Sequence, residues 1–234
     1  MTRVTKEYDE RLKELLDTAQ QLFFQKGYEK TSINHIIEAI GVAKGTFYHY
    51  FKSKEDLLDQ LVARFTEGSL EEAKKLMKRK GLNAVEKMNL LFIKIRDKKV
   101  ENKELMQMLM KVMYTDENLI FRYKVFKRSI ALLTPYFAEI IKQGIEEGLF
   151  HSLDHVETAE LLFTMAFNLN ETVVHLLLDA EAHPENIDKI DRKINAYYRG
   201  MEKMLGAAEG SLNFYSREDI EVFRFDKTKK GEFA

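Results

Sequence analysis

Between positions 31 and 54 the chain reads TSINHIIEAIGVAKGTFYHYFKSK. The second half of this stretch gathers Lys44, Gly45, Thr46, Tyr48, His49 and Tyr50 around two phenylalanines, Phe47 and Phe51, four residues apart. Such side chains suit a phosphate backbone and base edges. A threonine bonds a base edge or packs on a thymine methyl, tyrosine and histidine donate to phosphate, and a glycine lets the backbones approach closely. Thr31, Ser32 and Asn34 precede this group, and Lys52 and Lys54 follow it, Lys54 beside a helix N-terminus that is itself an anion site. Lys26, Lys30, Lys44, Lys52 and Lys54 against Glu29 and Glu38 leave residues 26–54 with a local charge of +3. The whole chain, with 37 Lys+Arg and 38 Asp+Glu, stands at −1. Phosphates are neutralised locally, so the patch weighs more than the total. A plainer reading makes Tyr48 and Tyr50 half-buried aromatics and the lysines solvated surface. A helix that only packs, however, seldom shows so many polar tips around two apolar rings.

These residues need helices to position them. Leu12, Leu15, Leu16, Ala19, Leu22 and Phe23 recur at helical spacing, and Gly27 suits the C-terminal cap. A short helix follows, with Thr31 or Ser32 as N-cap and Ile33, Ile36, Ile37 and Ile40 on its inner stripe. Gly41 and Val42 make a turn, a third helix runs from about Lys44 to Phe51, and Ser53 with Asp56 opens a fourth to about Lys78. Two short helices joined by a glycine-containing turn form a helix-turn-helix, whose second helix enters the major groove.

The run Gly27-Tyr28, Thr31-Ser32, Gly41-Val42-Ala43-Lys44-Gly45-Thr46-Phe47-Tyr48-His49-Tyr50-Phe51 and Ser53-Lys54-Glu55 closely resembles the signature of the tetracycline-repressor (TetR) family, over about fifty N-terminal residues. Glu146-Glu147-Gly148, followed by Asp154 and an apolar helix, is similar to that family's regulatory domain. The resemblance implies a homodimeric repressor with the third helix as recognition helix. It puts Lys44, Thr46, Tyr48 and His49 at positions used on bases and phosphates, and Lys54 at that of a phosphate-binding lysine. One departure is Ala43, where many members have a serine N-cap. Its loss costs up to about 1 kcal/mol, which packing of Phe47 and Phe51 can offset.

Farther along, helical patterns cover 82–99, 102–114 and 117–147, with Pro135 either kinking the last or starting a new helix capped by Thr134. Asp154 to Glu157 has capping-box spacing. The helix to about Ala180 is apolar almost all round, so it must be covered on every side. His183-Pro184 breaks the chain before a last helix that carries Ile187, Ile190, Ile194, Tyr197, Tyr198, Met201 and Leu205. Helices 155–180 and 185–205 from two chains would make a four-helix homodimer interface, as the resemblance also implies. Asn168, Asn170, Glu171 and His175 within the apolar helix bond across that seam, sit at its rim, or orient a ligand. Met88, Phe92, Met106, Met110, Met113, Phe126 and Phe167, with Asn168 and Asn170, make a candidate pocket for a small lipophilic effector. A methionine-rich core without a ligand is the alternative.

The expected fold is all-α: a three-helix DNA-binding domain over 1–53 and a larger helical ligand-binding and dimerisation domain over 54–206. The tail 207–234 either packs as an arm or is partly disordered. The absence of cysteine excludes disulfides, iron–sulfur clusters and thiolate zinc sites. His151 with His155, and Glu171 with His175, each lack a third ligand, so no metal site is expected. Nor is a cofactor or catalytic centre, since nucleophile elbow, phosphate loop and dinucleotide fingerprint are missing. No uninterrupted apolar run approaches the roughly 18 residues of a membrane span, and the charged N-terminal segment lacks the apolar stretch of a secretory signal, so no membrane partner and a cytoplasmic location are expected. The expected partners are a double-stranded palindromic operator, a second copy and an effector. Two rival readings remain: a regulator without an effector, and a helical small-molecule binder that no longer reads DNA.

Overall fold

A computed structural model describes residues 3–213 and 215–225. Among them all regular structure is helical: α1 Arg3–Lys26, α2 Ile33–Ile40, α3 Lys44–Tyr50, α4 Lys54–Met77, α5 Ala84–Glu101, α6 Lys103–Met113, α7 Leu119–Glu146, α8 His155–Leu178, α9 Asn186–Leu205 and α10 Arg217–Glu221, with a 3-10 turn at Asp116–Asn118 before α7. The chain divides into two compact units. One takes the chain up to Gly68 together with Val112–Ser129; the other takes Ser69–Lys111 and the chain from Ile130 onward.

The first unit closes on Leu15, Ala19 and Phe23 of α1, Ile36 of α2, Phe47 of α3, Phe51, and Leu57, Leu58 and Leu61 of α4, all essentially without solvent exposure. Phe121 of α7 completes this core, its ring 5.6 Å from Phe23 and 6.3 Å from Tyr28. The unit therefore takes in half of α4 and the segment 112–129, which lie in the stretch that the sequence pattern assigns to the second domain. Gly27 shows how tight this packing is. Its φ is +81°, and a Cβ there would stand 2.7 Å from the Glu117 carbonyl oxygen. Asn118, buried, donates from Nδ2 to the carbonyls of Phe24 (3.3 Å) and Val112 (3.0 Å).

The second unit packs α5, α7, α8 and α9 around Met88, Leu91, Phe137, Ile140, Ile141, Phe150, Leu162, Met201 and Leu205. The helix through Pro135 is continuous: α7 neither stops nor restarts there. Asp154 caps α8 by accepting from the N–H groups of Val156 (2.8 Å) and Glu157 (3.0 Å). The inner stripe of α9 is consumed within the unit, with Ile187, Ile190, Met201 and Leu205 all buried. By contrast, α8 is not covered on every side. Leu161 is 55% and Met165 38% exposed, and Val156 is open as well. By length and composition α8 is also the one described helix apolar enough to cross a membrane.

The described part of the tail packs back on its own unit. Leu212 and Ile220 are buried, Ile220 among Leu177, Ala180, Ile187 and Ile190. The Leu212 N–H donates to Glu202 (3.0 Å), and Asn89 donates from Nδ2 to the Ser211 carbonyl while accepting from the Asn213 N–H, each at 2.9 Å. The rest of the tail, 226–234 with Phe214, lies outside the described residues.

Candidate nucleic-acid interface

The α2–turn–α3 motif is held by local bonds. Ser32 caps α2 by accepting from the His35 N–H at 3.1 Å, and His35 Nδ1 returns the bond to the Ser32 N–H at 3.2 Å. Gly41 ends α2 at φ +77°. Ala43 opens α3 in extended conformation with no side-chain cap, as its methyl dictates. With Phe47 and Phe51 buried, helical geometry turns Lys44, Gly45, Tyr48 and His49 outward, and all four are exposed. Thr46 is half-buried at the edge of the same face. A Cβ built on Gly45 would meet nothing within 4 Å, so nothing inside the chain requires a glycine at that position. Asn34 and Lys52 are also exposed.

Three of the expected contact residues are drawn into the fold instead. Thr31 is fully buried, its hydroxyl donating to the carbonyls of Gly27 (2.9 Å) and Leu22 (3.2 Å); its side chain leaves the candidate surface. Lys54 is half-buried. Its ammonium donates to the carbonyls of Tyr28 (3.0 Å) and Thr31 (3.1 Å) and sits 4.2 Å from the centre of the Tyr28 ring, so two of its three donors are spent inside. Lys54 is thus first a clamp on the α1–α2 connection rather than a free cation for phosphate. Tyr50 leans on Tyr8 of α1, ring centroids 4.6 Å apart, and burial pushes its phenol above the usual range. Tyr8, itself exposed, also meets His49 edge-on at 5.9 Å. The sequence pattern does not single out Tyr8, because nothing in the spacing of α1 shows that it reaches α3. Asp56 also departs from expectation in detail. Its N–H donates to Ser53 Oγ (3.1 Å), but its carboxylate accepts from the Lys52 N–H (2.7 Å), one residue earlier than a regular capping box.

The candidate ligand residues do not gather in one cluster. Met88 is fully buried in the core of the second unit, and Phe92 packs edge-on against Phe137 there, centroids 5.5 Å apart. Met110 borders the apolar group of Leu177 and Ile190, and Met106 is half-buried on α6. Met113 and Phe126 belong to the first unit, Met113 against its core. Phe167 is half-buried, whereas Asn168 and Asn170 are exposed, and Asn168 donates to the Thr164 carbonyl of its own helix (3.1 Å).

Residues 15–61 match the family described as bacterial regulatory proteins of the tetR family, and residues 99–197 match the tetracyclin repressor-like C-terminal domain. The chain is similar to the HTH-type transcriptional repressor KstR2 of Mycobacterium tuberculosis (strain ATCC 25618 / H37Rv), 26% identical over 154 residues that cover 64% of this chain and 74% of that protein. It is similar also to the HTH-type transcriptional regulator YfiR of Bacillus subtilis (strain 168), 22% identical over 209 residues, 84% of this chain and 95% of that one. A TetR-family regulator from Syntrophomonas wolfei str. Goettingen shares the fold, with a TM-score of 0.54 at 20% identity over 83% of this chain and 96% of that one. With one match framing the helix-turn-helix and the other running from the end of α5 into α9, this chain belongs to the TetR family of bacterial transcriptional regulators.

Proposed function

We propose that the protein is a cytoplasmic repressor that binds a palindromic operator as a homodimer and is released by a small lipophilic effector. The observation that carries the DNA-binding part is the outward face of α3. Lys44, Gly45, Tyr48 and His49 are exposed around a buried Phe47, which is the display a major-groove helix requires. Two such helices, one per copy, would read half-sites about 34–36 Å apart. The dimer reading is supported by the uncovered stripe of α8, on which Val156, Leu161 and Met165 stand open. The effector reading is supported by α6, on which Leu105 and Met108 are exposed and no residue is fully buried: a pliable apolar surface short of a partner. An effector must favour the released state by about 5.5 kcal/mol to switch the dimer nearly completely.

Selection of binding sites from random duplex DNA with the full-length chain tests this directly. An enriched inverted repeat with half-site centres about one helical turn apart is expected. Enrichment without symmetry, or none, would remove the operator reading. Thermal-shift screening against apolar compounds, followed by operator release by each hit, tests the effector separately.

A further inference from the structure

On the second unit a cavity of about 90 Å³ opens between the C-terminal half of α4 and α5. Its floor is apolar: Leu76 and Leu91 are buried and Leu90 is half-buried beside them. Lys75, Arg79 and Lys94 rim it, against a single carboxylate, Glu72. That carboxylate is already engaged. Lys75 Nζ stands 3.2 Å from its Oε1, and Lys98 Nζ lies 3.8 Å from the same oxygen. Arg79 and Lys94 are both exposed and have no acidic partner among the described residues. Lysines in the last turn of α4 could simply complement the helix dipole. That account covers Lys74 and Lys75, but neither Lys94 in the body of α5 nor the leucine floor.

We propose that this recess binds a phosphate monoester with a short alkyl body, the chain seated on the leucines and the head between Arg79 and Lys94. A phosphate monoester carries close to two negative charges near neutral pH, matching two uncompensated cations, and a guanidinium presents its donors as a fork that fits phosphate oxygens. Since a water occupies about 30 Å³, the cavity takes an apolar segment of about three or four carbons. Binding here stands apart from the reading of α3 as a DNA helix, and either can fail without the other.

Calorimetric titration of the full-length protein with n-butyl phosphate, n-butanol and inorganic phosphate decides the matter. Butyl phosphate should bind about ten-fold or more tightly than either fragment, since both head and chain contribute. Arg79→Ala and Lys94→Ala should each weaken it about ten-fold. Lys142→Ala, which removes an exposed cation from α7, should leave it unchanged. Equal binding of inorganic phosphate, an equal loss in Lys142→Ala, or no binding of butyl phosphate would each overturn the proposal.

Discussion

At the scale of single residues, Gly45 is the most diagnostic position. It is exposed near the start of α3, and an added methyl would touch nothing in the chain. Gly45→Ala should leave thermal stability unchanged or raise it by up to about 1 kcal/mol, because alanine is the better helix former. Operator affinity should fall about ten-fold or more if backbone meets backbone there; a variant that binds as well as the parent would move the contact elsewhere. The lysines separate in the same way. Lys44, exposed at the head of α3, should when changed to alanine reduce the slope of log affinity against log salt by about one. Lys54→Ala should act mainly on stability, at about 1.5–3 kcal/mol for a charge-assisted pair of bonds, and leave that slope nearly intact. A full unit of lost slope in Lys54→Ala would restore it to the phosphate surface. The sequence pattern treats these two lysines alike because both lie in the same basic stretch. Their difference comes from carbonyls of Tyr28 and Thr31, more than twenty residues from Lys54, which no local pattern displays.

At the scale of elements, what is local was legible and what is long-range was not. The ends of α1, α2 and α9 follow from Gly27, Gly41 and Gly206, each with positive φ just past the helix, and the start of α8 follows from Asp154. Helix caps are made within a few residues, so sequence carries them. Burial is settled between elements. Phe121 enters the core of Phe23 and Tyr28 across more than ninety residues, and the apolar composition of α8 does not say that Leu161 and Met165 are the residues its own chain leaves open. That open stripe yields the prediction for this scale. Leu161→Glu places a charge on it, and in a two-fold dimer each copy carries the change. The dimer should weaken by at least about 2 kcal/mol, roughly thirty-fold, in sedimentation equilibrium, with the helical content of the monomer retained. An unchanged association constant would place the dimer surface on another face.

At the scale of the whole molecule, two compact units should respond separately to changes made within each. The tail ties α5, α6 and α9 of the second unit together. Arg96 pairs with Asp219 (3.4 Å), Arg217 with Asp188 (2.5 Å), and Gln107 Nε2 donates to the carbonyls of Phe223 (3.2 Å) and Arg224 (2.9 Å). Ending the chain at Gly210 would also remove the buried Leu212 and Ile220. Local stability follows the contacts that must open for an amide to exchange. Ending the chain at Gly210 should therefore speed hydrogen exchange in α9 and the middle of α5, and leave α2 and α3 as protected as before. Lys54→Ala should do the reverse, loosening α2 and the start of α4 while α9 stays protected. Because α4 and α7 each contribute residues to both units, the alternative is a single cooperative body. A uniform rise in exchange from either change would establish that alternative, and the tail would then stabilise the DNA-reading helices as much as the helices it touches.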